Sequence, residues 1–162
     1  MKALLSTTHL TSALLWGSIA IAQGPQARVQ VIHNSADLAA TQVDVWLDNT
    51  LLLDNFAFRT ASPFIDAPAG IPFNVGIALP NSTMASDAIF NQTFILDPNE
   101  TYLVVASGIV SGSGYAPATP FTLEVFAQGR ESAVGGALTT DVLVMHGATD
   151  APTVDVYESA VT

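Results

Sequence analysis

From Ile71 to Leu79 apolar side chains fall on every second residue, Ile71, Phe73, Val75, Ile77 and Leu79, with Pro72, Asn74, Gly76 and Ala78 between them. That period puts one face of an extended strand into a core and the other toward solvent, a pattern a helix cannot bury. The same alternation runs through Val29 and Val31, through Val43, Val45 and Leu47, and through Phe121, Leu123 and Val125. Tyr102 to Ala106 is apolar on both faces, as a central strand covered on both sides would be. No stretch after residue 26 carries a helical stripe. Turn-forming residues break the strands at Asp48-Asn49, Ala67 to Gly70, Pro80 to Ser82 and Asp97 to Asn99. Many short strands at such spacing predict a sandwich or a barrel. Leu96, Pro98 and Tyr102 favour the sandwich, because they stand as in a tyrosine corner, where the phenol bonds back to the chain and locks a crossover. The expected fold is all-β, an immunoglobulin-like antiparallel β-sandwich of about seven strands.

A second constraint is an internal repeat. VQVIHNSADLAATQVDVW, from Val29, returns as VLVMHGATDAPTVDVY, from Val142, with a two-residue gap. His33 corresponds to His146, Asp37 to Asp150, Asp44 to Asp155 and Trp46 to Tyr157. The predicted organisation is a complete sandwich repeat over 27–128, a Gly/Ala/Thr-rich linker over 129–140, and the first hairpin of a second, incomplete repeat over 141–162. Two strands cannot bury a core alone. The expectation is therefore a piece of a longer tandem protein, with further repeats of the same chain as neighbours; otherwise the last hairpin pairs onto the first domain's edge.

The first residues, MKALLSTTHLTSALLWGSIAIAQ, read as a signal peptide over 1–22. Lys2 is the only n-region charge, the apolar stretch from Leu10 to Ala22 is too short for a membrane span of roughly 20 continuous apolar residues, and Ala20-Ile21-Ala22 suits cleavage after Ala22. Cleavage removes the only lysine and leaves Arg28, Arg59 and Arg130 against 14 acids, a net charge of −11. Such a surface repels nucleic acid and anionic lipid, so neither a nucleic-acid partner nor membrane insertion after cleavage is expected. With 49% hydrophobic and 11% charged residues the chain has the material for a core. Without cysteine it has no disulfide, no thiolate nucleophile and no lipid-anchoring cysteine. The expected location is secreted, extracellular or at the cell-envelope surface.

The phrases ARVQVIHNSAD, VDVWLDNTLLLDNFAFRTASPFIDAPAG and VLVMHGATDAPTVDVY resemble the bacterial family catalogued as domain of unknown function 4397. The resemblance covers about Ala27 to Gln128 and restarts at Asp141, resting on the opening V-x-H-x-(S/A)-x-D followed by VDV, which occurs twice. It implies secreted or envelope-exposed β-sandwich modules, commonly in tandem. The family has no established activity, so the resemblance carries over no catalytic residue.

Four places have side chains suited to chemistry. His33 follows Val29 and Val31 at spacing two, so alternation turns it toward the core at the end of a strand, with Asp37 where a turn should begin. A His/Asp metal site or acid–base pair is one reading. A polar staple that fixes the first loop is the preferred one, because zinc wants three or four ligands and no other histidine or cysteine stands near in sequence. Asp44 and Trp46 fall on the face opposite the core valines. With Asp48 they would make an acidic, aromatic outer stripe on which a sugar ring could stack, provided Trp46 is exposed; a buried Trp46 removes that reading. Asp97, Asn99 and Glu100 cluster in a turn without the loop length of a calcium motif. Tyr115 sits in the long glycine-rich loop Ser107 to Pro120, where recognition residues of a sandwich would lie.

No GxSxG elbow is present and no serine has an evident His/Asp set. The expectation is a non-catalytic extracellular or cell-surface module, a spacer, scaffold or adhesive unit with no cofactor, whose partner is a cell-surface glycan or protein. The alternative is a carbohydrate- or cation-binding module using the Trp46/Asp44 face or the Tyr115 loop. An enzyme would need a concave pocket that gathers His33 with a second titratable group.

Overall fold

The computed structural model describes residues 24–112, 114–148 and 151–157. The expected signal peptide, and Asp150 of the repeat, lie outside the described residues. Eight strands form two four-stranded sheets: β1 (Gln26–His33), β2 (Gln42–Leu47), β3 (Thr50–Ala57), β4 (Ile65–Pro68), β5 (Phe73–Ala78), β6 (Phe90–Phe94), β7 (Thr101–Ser107) and β8 (Thr122–Phe126). One sheet has the order β4-β1-β7-β8 and the other β3-β2-β5-β6. The chain is all-β, as the alternation predicts, and its two sheets stack as a sandwich.

The eight described strands agree with the about seven expected, the short β4 forming an edge beside β1. Two details differ from expectation. The sandwich is not wholly antiparallel: β1 runs parallel to β7, with Val29 opposite Tyr102 and Val31 opposite Val104. Lastly, the strands of the repeated motif are not a hairpin. β1 pairs with β4 and β7, whereas β2 pairs with β3 and β5 in the other sheet. Asp37 to Thr41 turn the chain from one sheet to the other through a short 3-10 turn, Leu38–Ala40. The motif is thus an arch with one arm in each sheet.

The core lies where the alternation points. Val29 and Val31 of β1 face Val43 and Val45 of β2 in one buried cluster with Phe73, Ile77, Phe94, Val104 and Leu123. Ile71 and Leu79, the ends of the longest alternating run, stay outside: β5 begins at Phe73, after a turn in which Gly70 takes φ 73°. β7 is buried from Val104 to Ser107, as a strand with neighbours on both sides must be. The tyrosine corner is present, with the Tyr102 hydroxyl accepting the Asp97 N–H at 3.1 Å. Beyond β8 the described residues hold no strand. Gly129 N–H bonds Thr101 O, and Glu131 reaches back to Arg28 on β1, with contacts of 2.7 and 3.0 Å to its guanidinium. The segment after β8 is therefore led across the outer face of the β4-β1-β7-β8 sheet.

Candidate functional site

His33 and Asp37 stand at the end of the sandwich where β1 hands over to β2. His33 ends β1 on its inward side and is 1% exposed, between the rings of Phe56 and Phe58. Its Nε2 lies 2.8 Å from Ala40 O, and its Nδ1 accepts the Ser35 N–H at 3.4 Å. This pairing requires the neutral imidazole protonated on Nε2. Burial holds its pKa below 6.5 against the opposing pull of the Ala40 carbonyl. Both ring nitrogens are occupied by backbone.

Asp37 does not meet His33. It is 2% exposed and caps the 3-10 turn, Oδ1 accepting Ala39 N–H at 2.9 Å and the Tyr115 hydroxyl at 3.3 Å. Its Oδ2 accepts Val110 N–H at 2.9 Å and Ser111 N–H at 2.6 Å. Tyr115 in turn accepts the Leu38 N–H at 2.7 Å. Burial alone would raise the pKa of this carboxyl; the amides of Ser111, Ala39 and Val110 and the Ser111 side chain outweigh it and hold the group below its ordinary 3.8. Asp37 therefore fastens the first turn to the long loop after β7, and Tyr115 braces the same junction. Ser35, fully buried, adds a third tie through its hydroxyl to Gly108 O at 2.7 Å. Gly108 has φ 81°, and a Cβ there would collide with Pro120 O.

Asp44 and Trp46 are brought together, but beneath the surface. Asp44 is 0% and Trp46 7% exposed. The outer stripe expected of them is not formed, because the stretch between β5 and β6 covers it. Ser82 joins the two: its Oγ donates to Asp44 Oδ2 at 2.7 Å and accepts from Trp46 Nε1 at 2.8 Å, while Ser82 N–H bonds the same Oδ2 at 2.9 Å. Gly76 makes room for this cover, since a Cβ there would stand 3.0 Å from Ala88 Cβ and 3.6 Å from Trp46 Cβ. Asp44 Oδ1 accepts Asn55 N–H at 2.9 Å, where β3 bulges against β2 and Asn55 takes φ 50°. Burial pushes the Asp44 pKa up, yet the bonds from Asn55 and Ser82 win and keep it below 3.8.

Sequence reading missed Ser35, Ser82 and Asn55, the partners that make these carboxylates and imidazole tolerable in a core. Asn55 had no signal, because a bulge is a property of two paired strands. Ser82 stood in a recognised turn, yet nothing in the sequence brings that turn over Trp46. Among the described residues no buried side-chain polar atom lacks a partner, and no three of His, Asp and Glu converge as a metal site. Between the sheets lies a small gap of about 50 Å³ lined by apolar side chains and, alone among the polar described residues, by His33. No helix of the described residues is long and apolar enough to cross a membrane.

A search of curated proteins finds no match to this chain. One family does match, in a single span that crosses the expected linker and takes in both copies of the repeat. The described fold carries that span, and over residues 27–157 the chain belongs to the family described as a domain of unknown function (DUF4397).

Proposed function

We propose that the protein is a non-catalytic extracellular or cell-surface β-sandwich module that serves as a spacer, scaffold or adhesive unit, with a cell-surface protein or glycan as its partner. One observation carries this reading: each buried group with the chemistry for catalysis or metal binding is spent on fastening a loop. His33 holds Ala40 and Ser35, Asp37 holds Val110, Ser111 and Ala39, and Asp44 holds Asn55 and Ser82. A carboxylate that already accepts three or four hydrogen bonds has little left for a ligand. Stiff junctions between strands and loops suit a module that transmits load or presents a surface. The strongly acidic composition keeps such a module soluble and off polyanions.

Thermal unfolding of the whole chain in EDTA, then with calcium or zinc added, tests the reading. A ligand that binds only the folded state adds roughly 2.7 kcal/mol at a hundredfold over its dissociation constant. The midpoint is expected to stay where it is. A clear rise with either ion would establish a metal site and overturn the purely structural role of these residues.

A further inference from the structure

The second copy of the repeat keeps the local shape of the first without its surroundings. His146 Nε2 lies 3.0 Å from Pro152 O, and its Nδ1 accepts the Ala148 N–H at 3.4 Å. These are the two contacts His33 makes with Ala40 and Ser35. The arms differ completely in environment. Val29, Val31, Val43, Val45 and Trp46 are at most 9% exposed, whereas Val142, Val144, Val154, Val156 and Tyr157 are 76, 59, 52, 66 and 84% exposed. Among the described residues neither arm joins a sheet. Residues 141–148 and 151–157 are the two arms of such an arch, one strand-forming arm for each sheet of a sandwich.

The first copy indicates what such an arch pairs with. β1 lies antiparallel to β4 and β2 antiparallel to β3. β4 and β3 are the edges of their sheets, so each has its other side free. On this flank Leu52, Phe56 and Ile65, of β3 and β4, line the gap between the sheets and are only half-buried. On the opposite flank Phe90 and Phe121, half-buried as well, meet edge to face at 4.8 Å. The segment is led to the β3/β4 side in its own chain: Glu131 is tied to Arg28, which also bonds Asp66 on β4, and Met145 and His146 come to rest beside Phe58 and Arg59, just past β3.

We propose that the Asp141–Tyr157 arch docks on the β3/β4 flank of a second copy of this chain, one arm extending each sheet, and that the exchange is reciprocal about a two-fold axis. Strand addition to a free edge satisfies the backbone of both partners, and the valines of the arms enter the space between the sheets. A reciprocal exchange closes on itself as a dimer. The inference extends the scaffold reading without resting on it, because a module of any function can dimerise this way.

Sedimentation velocity on the whole chain, over a range of concentrations, should give twice the chain mass. Val144→Asp with Val156→Asp should return the single-chain mass while leaving the thermal midpoint of the sandwich unchanged, since both side chains are exposed in the protomer. The chain has no cysteine, so introduced pairs report without background. Val156→Cys combined with Leu52→Cys, which lines the gap from β3, should oxidise to a covalent dimer, and Val156→Cys combined with Gln92→Cys on β6 should not. A single-chain mass at every concentration, a dimer that survives the aspartates, or a disulfide closed within one chain would each overturn the proposal.

Discussion

At the scale of single residues, the molecule depends on three buried titratable groups held in one protonation state each. His33 is kept neutral by burial, and Asp37 and Asp44 are kept charged by the amides and hydroxyls that surround them. All three push stability in the same direction with pH. The folded pKa of His33 is below 6.5, so as the pH drops under that value the unfolded chain takes up a proton that the folded chain refuses, and stability falls. The two aspartates have folded pKa values below 3.8. Their contribution is full above that value and is lost as the pH falls through it toward the lowered folded values. Urea midpoints measured from pH 8 to pH 3 should therefore decline in two limbs, one beginning near 6.5 and a second beginning near 4. A His33→Gln chain that still folds should lack the first limb and keep the second. A flat profile between pH 7 and pH 5 in the parent would mean that the imidazole protonates inside the fold at no cost.

At the scale of elements, the alternation was enough to place the inward residues of β1, β2 and β5, because a two-residue period leaves a half-buried strand one way to face. The tyrosine corner was legible too, since its parts lie within one short stretch. What could not be read were features made by two segments distant in sequence. The parallel pairing of β1 with β7 joins strands some 70 residues apart, and the division of β1 and β2 between sheets depends on which edges the later strands fill. The cover over Trp46 is of the same kind, and for that reason an alternating Asp44 and Trp46 looked like an outer stripe. The bulge of β3 offers a test at this scale. Asn55 sits at φ 50° with its N–H on a buried carboxylate. Left-handed backbone costs a side chain with a β-branch roughly 1–2 kcal/mol, and a glycine almost nothing. Asn55→Val should lower the unfolding free energy by about that amount, and Asn55→Gly should stay within a few tenths of a kcal/mol of the parent. Equal losses from the two would show that the side chain, and not the backbone conformation, is what the bulge requires.

For the molecule as a whole, the leading electrostatic fact is imbalance: 14 acids stand against three arginines and one lysine. Two of these arginines are engaged in ion pairs, Arg28 with Asp66 and Glu131 and Arg130 with Asp141, with contacts of 2.7 to 2.8 Å. All are solvated to a degree at which such pairs contribute little. The third, Arg59, lies 5.1 Å over the ring of Phe58. The two buried aspartates accept four hydrogen bonds at Asp37 and three at Asp44, and are shielded from the rest by their position. The other acids are spread over a surface with almost no countercharge, and their mutual repulsion favours the expanded chain. Added salt should weaken that repulsion more than it weakens three exposed pairs, because the screening length falls from about 30 Å at 0.01 M to about 8 Å at 0.15 M. The thermal midpoint is thus expected to rise between those two sodium chloride concentrations. Arg28→Gln should steepen the rise, since it raises the net negative charge by one and removes the tie that leads the last segment across the sheet. A midpoint that falls with salt would mean that the arginine pairs outweigh the surplus of acid, and that the stretch from Glu131 onward is held by charge rather than by packing.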